Sequence, residues 1–206
     1  MGPSARHTMQ TSKRIRPLKR SFYARDAEIV ARELLGTILV HRAAAQERRA
    51  RIVETEAYVG AHDLACHASK GRTQRTDVMF GQAGHAYVYF IYGMYDMLNV
   101  VTGKLHDAQA VLIRAAEALD GWNADLSGPG KLCRAMGITR RMNGADLLGD
   151  TLFFCAADAP VGKVGVSARI GVDYAKEWKD KPLRFFDLQS PAVSGRRPTP
   201  RPGPKP

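Results

Sequence analysis

Residues 51–59, RIVETEAYV, set the tightest limit on what this chain can fold into. Their strict alternation predicts a β-strand. Ile52, Glu54, Glu56 and Tyr58 fall on one face, and Val53, Thr55, Ala57 and Val59 on the other. A face with two carboxylates and a tyrosine is ordinary if it meets solvent. If it meets a cleft, one glutamate is placed to act as a general base. A second constraint lies at YVYFIYGMYDMLN, residues 87–99, where four tyrosines fall within nine positions. Two β-prone runs, 85–92 and 95–101, flank Gly93-Met94 and predict a hairpin with an aromatic tip. Such aromatics either pack on a core or stack on bases and wedge into a duplex. A buried phenol needs a polar partner, and four so close are hard to satisfy by packing alone.

The remaining elements are short and irregularly spaced. Asp26 reads as the N-cap of a helix over 27–35, which Gly36 stops. Strands are predicted at 37–40, 110–114 and 163–172, and residues 60–84 read as loops. Pro129 suits the first position of a helix running to about Met136, with Gly137 as its stop. Strands and helices alternate without βαβ spacing, which favours a mixed α+β domain over a doubly wound sheet.

The 206 residues suit one domain with tails. Residues 1–20 carry six Lys or Arg and no acid, and residues 189–206 carry four, six prolines and no acid. Both read as disordered basic tails, the second Pro-rich, around a domain at 21–188. Of the net charge of +11, only about +1 belongs to residues 21–188. The tails fit non-specific attraction to nucleic acid, whereas any binding face on the domain depends on where single arginines sit. No apolar run is long enough for a membrane span, and the basic N-terminus lacks the apolar stretch of a secretory signal. Cys66, Cys133 and Cys155 form no CxxC pair, which points to a reducing compartment.

Two patterns invite a metal or nucleotide reading. His62, Cys66 and His67 do not have zinc-finger spacing, so no metal is expected. Gly128-Pro129-Gly130-Lys131 lacks the first glycine of a phosphate loop, where Asp125 stands, and has Leu132 in place of Ser or Thr. Arg72, Arg75, Arg140 and Arg141 are candidate phosphate contacts or plain surface residues, and Trp122 and Trp178 read as packing residues.

Several long motifs then occur in one order: RIVETEAYVG, His67 nine residues after Tyr58, YVYFIYGMYDMLNV, VLIRAAE, SGPGKLCRAM and RIGVDYAKEWKDKPLRFF. Together they resemble the alkyladenine (3-methyladenine) DNA glycosylase family over residues 22–186, with the tails outside. The resemblance implies a monofunctional hydrolase of N-glycosyl bonds that flips alkylated or deaminated purines out of duplex DNA in base-excision repair. It assigns the catalytic base to Glu56 and leaves Glu54 a structural or helper role. It puts Arg114 in the cleft near the DNA backbone and the catalytic water. Tyr58, His67, Tyr89 and Asn99 fall in the base pocket, with Asn99 crowding the amine of guanine. The Ile170 carbonyl falls beside the water, and Tyr92 is the residue inserted into the duplex. No cofactor, no lyase step and no membrane contact are expected, and a monomer is. The place of action is the cytoplasmic nucleoid of a bacterium or a eukaryotic nucleus. The expected architecture is one α+β domain with a curved antiparallel sheet, short helices and a protruding β-hairpin. Two rivals remain: a non-catalytic nucleic-acid-binding module of the same fold, and a small-molecule transferase of similar fold.

Overall fold

A computed structural model describes residues 15–43, 46–157 and 161–195. The expectations for residues 1–14 and 196–206 lie outside the described residues. Three α-helices are present: α1 (Arg20–Tyr23), α2 (Ala27–Leu34) and α3 (Pro129–Met136). Eight strands accompany them: β1 (Ile38–Ala43), β2 (Gln46–Tyr58), β3 (Ala86–Ile91), β4 (Tyr95–Thr102), β5 (Gln109–Ala118), β6 (Leu152–Cys155), β7 (Val164–Ser167) and β8 (Arg184–Asp187). They form one curved antiparallel sheet in the order β3-β4-β5-β2-β1-β6. β8 joins β2 along Glu54–Glu56 and carries β7 on its far side. The fold is therefore the expected mixed α+β domain with a β-hairpin, β3–β4.

Local chemistry explains the helices. α2 spaces Ala27, Val30, Ala31 and Leu34 on one buried face. Asp26 sits at its N-cap without a side-chain bond, and the Ala27 N–H instead donates to Gln109 Oε1 at 2.8 Å. Proline at the first turn and Gly137 at the end frame α3, whose Leu132, Cys133 and Met136 pack into the main core.

β2 is longer than RIVETEAYV, because its charged first residues pair with β1 from Arg51 back to Gln46. It also departs from strict alternation. Its register against β5 slips between Ile52 and Glu54 and again before Thr55. A bulge of this kind shifts the phase of the side chains. Ala50 and Ile52 enter the main core before it, and Ala57 after it. Beyond the bulge Thr55 Oγ1 donates to the carbonyl of Ala31 in α2. Ile52 therefore does not share a face with Glu54 and Glu56 as strict alternation would have it. The late strand stops at Ser167 rather than 172, and the chain then turns back toward β2.

Both domain edges include residues that composition groups with the tails. Pro17 bridges Cys155, and the Leu18 N–H donates to the Phe154 carbonyl at 2.7 Å. At the other end Ser190 and Ser194 are buried, with Ser194 only 5 % exposed.

Candidate active site

The second half of β2 lies in the middle of the sheet, between β5 and β8, and turns two carboxylates to the same side. Glu54 and Glu56 are both fully buried. Glu54 accepts Arg184 Nε at 2.7 Å, Arg114 Nε at 2.9 Å, and both the N–H and the hydroxyl of Ser194, at 2.5 and 2.9 Å. Its acceptor sites are filled, which suits a structural anion. Glu56 is held differently. Its Oε1 accepts the Ile170 N–H at 2.7 Å and lies 3.3 Å from Arg114 Nη1, and its Oε2 accepts the Tyr58 hydroxyl at 2.9 Å. An ionised carboxylate has about four acceptor sites, so one remains for a small guest.

Arg114 thus touches both carboxylates from β5. Burial works against its charge, but Glu56 and Glu54 outweigh that and hold it firmly protonated. Burial, aided by the charge of Glu56, pushes the Tyr58 phenol well above its usual range, so it stays a donor. Under Tyr58 lies Arg169, its guanidinium 4.7 Å from the ring centroid. Arg169 pairs with Asp63 through two hydrogen bonds of 2.5 and 2.9 Å, with both side chains fully buried, and also donates to the Ala57 carbonyl. That pair clamps the turn after β7 onto β2 and so aims the Ile170 N–H at Glu56.

Above Glu56 opens a cavity of about 280 Å³. Tyr58, His67, Tyr87, Tyr89, Tyr92, Asn99, Arg114 and Ile170 line it, together with Met97 from β4 and Leu112 from β5. Every residue assigned to the site from sequence is thus at this cavity, except Glu56, which is enclosed beneath it by Tyr58, Arg114 and Ile170. His67 Nδ1 lies 2.9 Å from the Tyr87 hydroxyl, and its ring meets Tyr89 edge-on at 4.5 Å. Burial, with Arg75 and Lys70 adding to it, lowers the His67 pKa to about 4, so the imidazole is neutral at pH 7. Asn99 Nδ2 is fixed by the carbonyls of Tyr87 and Met97 at 3.2 and 3.4 Å. Ile170 meets Glu56 through its N–H.

At the hairpin tip the Met94 N–H donates to the Ile91 carbonyl, and the two residues between have positive φ, 54° at Tyr92 and 68° at Gly93. Glycine takes that conformation freely, whereas a tyrosine there is strained. Tyr92 is 77 % exposed and Met94 65 %, so the tip projects two apolar side chains beside the cavity mouth. Asp96, an acid near that face, accepts the Arg140 N–H at 3.2 Å, and the Arg140 guanidinium sits 4.1 Å over Phe90. These contacts brace the hairpin from its flank. Arg72 pairs with Asp77 on the surface, while Arg75 lies 5.1 Å from the Tyr89 ring at the cavity rim. Trp122 and Trp178 pack against the core. Among the described residues, no three His, Cys, Asp or Glu side chains gather as a metal would require. No helix among them is long and apolar enough to cross a membrane.

Sequence reasoning missed Asp63, Arg169, Arg184 and Ser194. The first three are lone charges in loops or in an apolar run, and their charged partners lie 106 to 130 positions away. A charge between Leu183 and two phenylalanines, as in LRFF, is the signal that the sequence offers for Arg184.

Chemically, the cavity defines a site that takes a flat aromatic ring against phenol faces, above a buried carboxylate with one free acceptor position. The sequence profile of the methylpurine-DNA glycosylase family matches residues 21–191, and the chain belongs to that family. It is 50 % identical to a Legionella pneumophila (strain Corby) protein over 181 residues, 87 % of this chain and 99 % of the relative. It is likewise 50 % identical to a Methanocella arvoryzae protein over 194 residues, 88 % of this chain and 97 % of the relative. A Myxococcus xanthus protein is 51 % identical over 180 residues, 86 % of this chain and 93 % of the relative. All three carry the name "Putative 3-methyladenine DNA glycosylase".

Proposed function

We propose that this chain excises alkylated or deaminated purines from duplex DNA, hydrolysing the N-glycosidic bond with a water activated by Glu56. One observation carries the reading: a fully buried carboxylate lies under a tyrosine-lined cavity, with three donors on it and one acceptor site open. Glycosidic cleavage passes through an oxocarbenium-like state, in which positive charge develops on the sugar. Glu56 takes a proton from the water and faces that charge with its own. Arg114, Tyr58 and the Ile170 N–H hold Glu56 in its orientation. In this reading water rather than a lysine amine is the nucleophile, and no lyase step follows.

The flipped purine stacks on Tyr58 and Tyr89. A cationic lesion such as 3-methyladenine gains about 0.5 to 2 kcal/mol from those faces over a neutral base. Neutral His67 offers a hydrogen bond to the base, and Asn99, fixed by two carbonyls, crowds the amine of guanine. Tyr92 enters the duplex and fills the space left by the flipped base. Damaged duplex DNA is the partner, the protein acts as a monomer without a cofactor, and it works on the bacterial nucleoid or in a eukaryotic nucleus.

The test is excision from labelled duplexes with one lesion each, read by alkaline strand cleavage. The wild-type protein is expected to cut, and Glu56→Gln to lose at least about a thousandfold in rate while still binding the lesion. Full activity in Glu56→Gln refutes Glu56 as the base. Binding without cleavage by the wild type favours a non-catalytic DNA-binding module instead.

A further inference from the structure

The last described residues, 190–195, lie beyond or at the very end of the family match, which stops at residue 191. They nevertheless reach both arms that hold Glu56. Ser194 Oγ meets Arg114 Nη2 at 3.2 Å and Arg114 Nε at 3.4 Å, and donates to Glu54 at 2.9 Å. The Ser194 N–H donates to the other oxygen of Glu54, and its carbonyl accepts Arg184 Nη2 at 2.7 Å. Gly195 follows at φ 71°, so close to the other arm that a Cβ there would stand 3.1 Å from Ile170 Cδ1. The segment is fastened behind by the Ser190 hydroxyl on Glu117, at 2.5 Å, and by buried Val193.

We infer that residues 190–195 form a C-terminal strap, in which Ser194 is a positioning residue for Glu56, acting through Arg114 and Glu54. The inference rests on Glu56 being the base. Arg114 is shared between two carboxylates, and its Nε and Nη2 are fixed by Glu54 and Ser194 while Nη1 is left for Glu56. Without Ser194 Oγ, one edge of the guanidinium loses a partner and is free to rotate toward Glu54. The Glu54 oxygen that the Ser194 N–H caps keeps that carboxylate from turning toward the cavity. Gly195 works on the other arm: any side chain there presses on Ile170, whose N–H fixes Glu56 Oε1.

The experiment measures single-turnover excision of a lesion duplex, together with duplex affinity and thermal stability. It compares wild type, Ser194→Ala, Ser194→Thr, Gly195→Ala and Glu56→Gln in the full chain. Ser194→Ala is expected to lose roughly ten- to a hundredfold in excision rate, the scale of a hydrogen bond to a charged group. Its affinity for the lesion duplex should hold, so that the loss falls on the rate and not on binding. Ser194→Thr keeps a hydroxyl and should recover most of the rate. Gly195→Ala should slow excision without removing a polar partner. The strap is overturned if Ser194→Ala keeps the wild-type rate, or if its loss simply follows lowered thermal stability and Thr does not restore it. If instead Glu56→Gln is fully active, the reading of Glu56 as the base fails, whatever the Ser194 variants do.

Discussion

Tyr92→Gly separates the stability of the hairpin from its work on DNA. Tyr92 has φ 54° and is 77 % exposed, so it contributes little packing and holds a left-handed backbone. For an L-residue that conformation costs about 1 to 2 kcal/mol. Glycine removes the strain but loses about 0.5 to 1 kcal/mol of its own chain entropy on folding. The net is a gain of about 0 to 1.5 kcal/mol, which is a Tm rise of up to roughly 6 °C for a chain of this size. The cost falls on DNA. An aromatic stacked in the duplex is worth ~1 to 3 kcal/mol, so the flipping equilibrium should drop by roughly ten- to a hundredfold. Stopped-flow fluorescence of a duplex with a fluorescent lesion, beside calorimetric melting of the free protein, reads both sides. A variant that melts several degrees below wild type would falsify the claim that the tip is strained. Unaltered flipping would mean that another residue, with exposed Met94 the first to try, fills the duplex.

Three further outcomes concern charge. Asp63→Asn leaves Arg169 charged and enclosed, which should cost about 3 to 5 kcal/mol in urea unfolding. It should also slow excision, because the Ile170 N–H is aimed by that pair; a change within ±0.5 kcal/mol would contradict it. His67 is held neutral, with its pKa lowered from 6.5 to about 4. The unfolded chain therefore binds a proton there that the folded one does not between those values. Stability from this site is complete above about pH 6.5 and is lost as pH falls toward 4. His67→Gln should flatten the stability profile in that window, and an unchanged slope refutes the assignment. Excision should also weaken steeply with salt, since phosphate contacts release counterions; a rate indifferent to salt at subsaturating protein argues against a duplex substrate.

What the sequence made legible was what is written locally. Pro129 and Gly137 mark α3 to the residue, because both ends of that helix are set by backbone chemistry. The tyrosine-rich hairpin is legible for the same reason, although its positive-φ positions fall on Tyr92 and Gly93 rather than on Gly93 and Met94. β6 and β8 are runs of four buried residues each, too short to show a period. The bulge at Val53 is a matter of pairing with β5 and leaves no trace in RIVETEAYV itself. The site split along the same line. The residues of the cavity stand in long motifs that can be read together, whereas the pairings of Asp63 with Arg169 and of Glu54 with Ser194 span more than a hundred positions and are not written locally. Nothing near Ser194 distinguishes it from the Pro-rich stretch that follows.

The bulge has a consequence for how this chain can change. Loops gain and lose residues at small cost, but the side-chain period of a strand is two. Glu54 and Glu56 face Arg114 only because the irregularity just before Glu54 has already shifted the phase of β2. One residue gained or lost between Ile52 and Glu54 would exchange the two faces from Glu54 onward. Thr55 and Ala57 would then meet the cavity, and both carboxylates would be driven into the apolar layer under α2. The chemistry of the whole domain thus hangs on the parity of a single strand.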